Sequence, residues 1–164
     1  MRRREALEGE RQVVERAVVL GPNTAIVGQW EEQAADLGIA MTAWTYQSVA
    51  VFDPDPEARR KIDEVLANAR RALPALYDKA LPPEGNLSYH SDLHAAVAGA
   101  LWGQESVPER LDLKHKTFAE IQAACGADAL IGSSTSGFKP SELQQGAANP
   151  GQIFVAHPFN PVYL

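Results

Sequence analysis

Short apolar runs of four or five residues alternate along this chain with longer stretches in which apolar residues recur every three or four positions. The first pattern suits buried strands and the second amphipathic helices. "AVVL" (17–20) reads as a first strand, and "VGQWEEQAADLGIAMTAW" (27–44) as a helix with Trp30, Ala34, Leu37 and Met41 on one face. "SVAVF" (48–52) is a second strand, stopped by Pro54 and Pro56, with Asp55 placed to cap the next helix. Residues 57–81 form a long amphipathic pattern with Ile62, Val65, Leu66 and Ala69 inward, which Pro74 should kink or split.

The alternation continues. "PPEG" (82–85) is a turn, "NLSYH" (86–90) a short strand and "SDLHAAVA" (91–98) a capped helix. "GALWGQES" (99–106) is the next strand, with "PERLDLKHKTFAEIQAAC" (108–125) as its helix. "DALIGSS" (128–134), "SELQQGA" (141–147) and "QIFVA" (152–156) complete the series, with no internal repeat. Strand and helix in strict turn predict an α/β domain, a parallel sheet wrapped by helices.

Composition narrows the classes. The 164 residues, 45% hydrophobic and 22% charged, fit one globular domain, expected over 17–164 behind a charged extension at 1–16. A net charge of −6 argues against a nucleic-acid or anionic-membrane partner, either of which needs a basic face. Cys125 is the only cysteine, so an intrachain disulfide and a cysteine-based zinc site are excluded and a reducing, cytoplasmic setting is expected. No apolar run reaches the roughly 18 residues of a membrane span. The opening "MRRREALEGERQ" is basic without an apolar stretch behind it, unlike a secretory signal.

In an open parallel sheet, functional groups gather at the carboxyl ends of strands. Four predicted ends carry polar residues: Asp53, Glu105, Ser133 to Ser136, and His157. Asp53, after the second strand, is placed either to accept the ribose hydroxyls of an adenine dinucleotide or to cap the next helix. Glu105 reads as a site carboxylate or a solvated one, and "SSTSG" (133–137) as hydroxyl donors to a substrate oxygen or a polar loop. His157, between "IFVA" and Pro158, is either a proton acceptor or a half-buried turn histidine. His90, His94 and His115 show no metal-ligand spacing and read as structural or solvated.

Three of these stretches, "ESVPERLDLKHKTFAEI" (105–121), "IGSSTSGFKPSE" (131–142) and "AHPFNP" (156–161), resemble the nucleotide-binding domain of the 3-hydroxyacyl-CoA dehydrogenase family. The likeness runs from about residue 49 to Leu164 and is greatest to the bacterial L-carnitine 3-dehydrogenases. It implies a Rossmann-type, doubly wound sheet, NAD as cofactor, a small 3-hydroxy acid as substrate and a homodimeric parent. His157 matches the family's catalytic base, Ser136 the serine that hydrogen-bonds the substrate oxygen, and Asn160 the asparagine beside the histidine. Glu105 matches a carboxylate lining the cofactor site. The reading HPFNP, where acyl-CoA members usually have HFFNP, resembles members acting on free hydroxy acids, carnitine and gulonate among them.

Two departures set further expectations. The family's G-x-G-x-x-G turn is absent: "AVVL" runs into "GPNTAIVG", leaving Gly21 as the remaining glycine at the cofactor turn, and Pro22 removes an N–H where a pyrophosphate needs donors. Residues 1 to about 48 are therefore expected to be diverged, rearranged or foreign to the domain. The chain also stops before the family's "PLVE" continuation and its helical C-terminal domain, so it is expected to be a fragment, inactive alone. The alternatives are a 3-hydroxyacyl-CoA or L-gulonate dehydrogenase, and a non-catalytic remnant that kept the fold.

Overall fold

The computed structural model describes residues 17–20, 48–76 and 84–157. They contain β1 (Ala17–Leu20), β2 (Ser48–Phe52), α1 (Ala58–Leu76), β3 (Asn86–His90), α2 (Leu93–Val97), β4 (Trp102–Glu105), α3 (Leu111–Ala124), β5 (Leu130–Ser133), α4 (Pro140–Leu143), a 3₁₀ turn (Pro150–Gln152) and β6 (Ile153–Val155). The six strands make one sheet in the order β3-β2-β1-β4-β5-β6, and every pairing is parallel. This is the doubly wound order of a Rossmann domain, with the direction of winding reversing between β1 and β4.

The elements follow from local chemistry. Val49, Ala50 and Val51 of β2 are all buried, the continuous apolar run of a strand covered on both faces. In α1, Ala58, Ile62, Leu66 and Ala69 form the buried stripe at helical spacing, with Val65 half-buried beside it. Asp55 starts this helix: its carboxylate accepts the Glu57 N–H at 2.9 Å and its carbonyl the Ala58 N–H at 3.1 Å. The helix runs unbroken through Pro74 to Leu76. The expected split does not occur between Ala58 and Leu76, and Pro74 forfeits one intrahelical bond, that to the Arg70 carbonyl. Asp92 caps α2 by accepting the Ala95 N–H at 2.8 Å.

The core joins α2 and α3 to the sheet. Leu93, Ala96 and Val97 pack with Phe118 and Ile121 against Ala50, Ile131 and Ile153, and Leu143 of α4 closes one side. The 3₁₀ turn before β6 has no counterpart in the apolar pattern. It buries Gln152, whose amide nitrogen donates to the carbonyls of Gly126, Ala127 and Ala129 at 2.9, 3.1 and 3.0 Å. The helix expected at 27–44, Gly21 with the altered glycine turn, and Asn160 lie outside the described residues. Among the described residues, no helix is long and apolar enough to cross a membrane.

Candidate functional site

Parallel register lines up the carboxyl ends of the strands. Leu20 is level with Phe52 and Glu105, Phe52 with His90, Glu105 with Ser133, and Ser133 with Val155. The polar positions singled out in the sequence therefore share one edge. Asp53 follows β2 on one side of the switch point; on the other, Glu105 is the last residue of β4, Ser133 the last of β5 with 134–136 beyond it, and His157 follows β6.

On the β4–β6 side the pairing extends past the strands. Ser134 N–H donates to the Glu105 carbonyl at 2.8 Å, and Ala156 N–H to the Ser133 carbonyl at 2.9 Å. Gln104 ties three strand ends together, donating to Ser134 Oγ at 2.8 Å and to the Ala156 carbonyl at 3.1 Å. Ser106 and Ser134 share a hydroxyl contact of 2.8 Å. This frame delivers His157, the second residue after β6, half-buried and with Nδ1 shut off from solvent.

Glu105 is wholly buried. Its carboxylate accepts Lys114 Nζ at 2.9 and 3.2 Å, Ser133 Oγ at 2.5 Å and the Val107 N–H at 2.6 Å. The carboxylate expected to line the cofactor site is thus engaged by donors within the chain. The acid that reaches the surface at this strand end is Glu109, whose side chain keeps 32% of its exposure. Its Oε1 accepts Thr135 Oγ1 and the Gly137 N–H, the latter at 2.9 Å, and its Oε2 lies 3.4 Å from Lys114 Nζ. Burial pushes the Glu109 carboxyl upward, but the hydrogen bonds from Thr135 and Gly137 and the charge of Lys114 outweigh it and hold it below the ordinary value. Ser136, between the two residues bound to Glu109, is exposed.

Asp53 is half-buried, and its Oδ1 accepts the Asp55 N–H at 2.8 Å. The helix-capping work that was one of its two readings belongs to Asp55. An acceptor carboxylate one residue beyond β2, beside the switch point, is what a dinucleotide's ribose needs, so this part of the edge fits such a cofactor.

Lys114 and Glu109 do not stand out in the sequence. Lys114 carries a usable signal all the same: it stands three residues after Leu111 and four before Phe118, on the inward stripe of α3, where an ammonium requires a buried partner. His90, the last residue of β3, contacts Ser88 Oγ at 3.0 Å, His115 contacts the Glu142 carbonyl at 2.7 Å, and His94 is exposed. Among the described residues, no grouping suits a metal ion.

Residues 34–164 match the family model of the 3-hydroxyacyl-CoA dehydrogenase NAD-binding domain. The chain is 72% identical over 116 residues to an L-carnitine dehydrogenase/betainyl-CoA thioesterase of Ruegeria pomeroyi, covering 71% of this chain and 24% of that protein. It is 53% identical over 117 residues to an L-carnitine dehydrogenase of Mesorhizobium japonicum, covering 71% of this chain and 32% of that protein. The chain thus spans about a quarter to a third of the length of these curated relatives. Among solved structures it resembles an NAD⁺-dependent 5-formyl-3-hydroxy-2-methylpyridine 4-carboxylic acid 5-dehydrogenase, with TM-score 0.71 and 28% identity over 92% of this chain and 46% of that one. It also resembles 3-hydroxybutyryl-CoA dehydrogenase of Escherichia coli, with TM-score 0.67 and 25% identity over 91% of this chain and 30% of that one.

Proposed function

Since the chain belongs to the 3-hydroxyacyl-CoA dehydrogenase family as its NAD-binding domain, we propose that it is the cofactor-binding part of an NAD-dependent dehydrogenase of free 3-hydroxy acids, with L-carnitine as substrate. The reaction is L-carnitine and NAD⁺ giving 3-dehydrocarnitine, NADH and a proton. The observation that carries this reading is the common edge: Asp53 on one side of the switch point, the Ser136 segment and His157 on the other. The identity to L-carnitine dehydrogenases supports the substrate.

NAD, when bound, accepts the hydride from C3 of the substrate. The chain's residues do the rest. His157 takes the proton of the 3-hydroxyl as the carbonyl forms, Ser136 donates a hydrogen bond to that oxygen, and Asn160 is the family's asparagine beside the histidine. Asp53 would accept the ribose hydroxyls, and Gly21 is the residue assigned to the cofactor turn after the first strand. The full-length enzyme is proposed as a cytoplasmic homodimer acting on a small molecule.

The test is a substrate panel on the full-length polypeptide: L-carnitine, 3-hydroxybutyryl-CoA and L-gulonate, each with NAD⁺. L-carnitine should give the highest kcat/KM, and His157→Gln should lower kcat by about 10² to 10⁴ while NADH binding stays within a few-fold. A preference for the acyl-CoA or gulonate would move the substrate assignment, failure to bind NADH would favour a non-catalytic remnant, and a His157→Gln variant near wild-type rate would remove the base.

A further inference from the structure

Ser136 is exposed, yet both its neighbours are pinned. Thr135 donates its hydroxyl, and Gly137 its N–H at 2.9 Å, to the same oxygen, Glu109 Oε1. Thr135 Oγ1 in turn accepts the Phe138 N–H at 3.1 Å, so the two residues flanking the serine converge on one carboxylate and Phe138 is tied to it through the Thr135 hydroxyl. The carboxylate is itself held from behind. Its Oε2 faces Lys114 Nζ at 3.4 Å, and that ammonium is fixed by Glu105 at 2.9 and 3.2 Å and by the Val107 carbonyl at 3.1 Å. Glu105 also takes Ser133 Oγ, which lies 3.3 Å from the Thr135 N–H. The turn after β5 is thereby anchored at both ends to the turn after β4.

A second observation is independent of these bonds. Gly137 has no positive φ, so its backbone does not ask for glycine. A Cβ there would meet Glu109 Oε1 at 3.3 Å. Glycine at 137 leaves the space through which the carboxylate reaches the peptide.

We propose that Glu109 is a positioning residue for Ser136, clamping the 135–137 turn so that the serine hydroxyl is presented to the substrate oxygen. The proposal rests on the role assigned to Ser136 above. A hydrogen-bond donor that must meet a developing oxyanion acts through its placement, and displacements near 1 Å are costly in rate. Glu109 acts on the reaction through the turn.

The experiment is a double-mutant cycle in the full-length enzyme, with amide exchange read alongside. Glu109→Ala should lower kcat/KM for L-carnitine by about 10- to 100-fold. In a Ser136→Ala background it should cost little more, since two residues acting through one contact are not additive. Gly137→Ala should show the same loss alone and none beyond that of Glu109→Ala in the double variant, because the carboxylate it presses against is gone. Glu109→Gln keeps the volume and one acceptor, and should fall between wild type and alanine. Exchange of the Gly137 and Phe138 amides in the cofactor-free protein should accelerate by about tenfold or more in Glu109→Ala. Effects of Glu109 and Ser136 that multiply, or unchanged exchange at Gly137, would overturn the proposal. The exchange arm does not use the substrate, so an enzyme inactive on L-carnitine would fail the functional reading and still decide the clamp.

Discussion

Lys114 has given up water for a fully enclosed set of acceptors: both Glu105 oxygens, the Val107 carbonyl, and Glu109 at its open side. Such a pair is weak as net stabilisation, yet removing one member strands the other charge in the interior, a loss of about 3–5 kcal/mol. Lys114→Met is therefore expected to lower the unfolding free energy by about that amount. Combining it with Glu105→Gln, which still meets Ser133 and removes the orphaned charge, should recover most of the loss. Chemical denaturation of the two variants in parallel checks this; equal destabilisation by the single and the pair would mean that packing rather than charge sets the cost.

Between elements the tightest constraint is at Gly132 in β5. A Cβ at this position would come within 2.7 Å of Ala156 Cβ, 2.9 Å of Trp102 Cζ2 and 3.1 Å of Gln104 Oε1. Ala156 cannot move its Cβ without moving its backbone, and His157 is the next residue. Gly132→Ala should thus cost about 1–3 kcal/mol of stability by overpacking. It should also lower kcat more than it raises the Kd for NADH, because β6 is displaced at its catalytic end. Unchanged kcat would show that β6 yields elsewhere. This contact also shows where sequence stops being legible. Strands such as β2 and β5 can be read because their signal is local, a run of apolar residues ended by polar ones. The Asp92 cap and the stripe of α1 are local too. The bonds from Glu109 to Thr135 and Gly137 join residues 26 and 28 positions apart, and no periodicity reports them. Glu105 and Glu109 look alike in the string, acids four residues apart at the end of β4 and just beyond it, and only packing decides that the first faces Lys114 inside while the second reaches the surface.

For the molecule as a whole, the proposed function divides the labour between the two halves of the sheet, with the nucleoside side after β2 and the reacting side after β4 to β6. The cations near the β2 end are engaged. Arg60 bonds Glu57 at 2.8 Å and Glu64 at 2.7 Å, Lys61 bonds Asp55 at 3.1 Å, and Arg59 lies 5.1 Å from the centre of the Tyr89 ring. A 2′-phosphate arriving there would meet Asp53 and cations already committed to carboxylates and to Tyr89, so the site should prefer NADH to NADPH. Asp53→Ala is expected to weaken NADH binding by about tenfold and to shrink the preference by a similar factor, as a charged hydrogen bond and a repulsion disappear together. Fluorescence titration of both nucleotides reads the ratio. An unchanged ratio would reduce Asp53 to the turn it makes with Asp55.

The central strand carries a consequence for the order of events in time. β1 hydrogen-bonds β2 and β4 at once: Ala17 pairs with Val49, 32 positions on, and with Trp102, 85 positions on. β4, β5 and β6, by contrast, follow one another along the chain and pair as neighbours. As synthesis proceeds, β1 gains its first partner early and waits for the second until residues 102–105 have emerged. Until then one side of β1 is an open edge, able to pair with the wrong strand or with another nascent chain. Closing so long a loop before the sheet is complete slows folding relative to local structure. The seam where the two halves meet is at once the switch point at which sheets of this order hold a dinucleotide and the pairing that spans the most sequence.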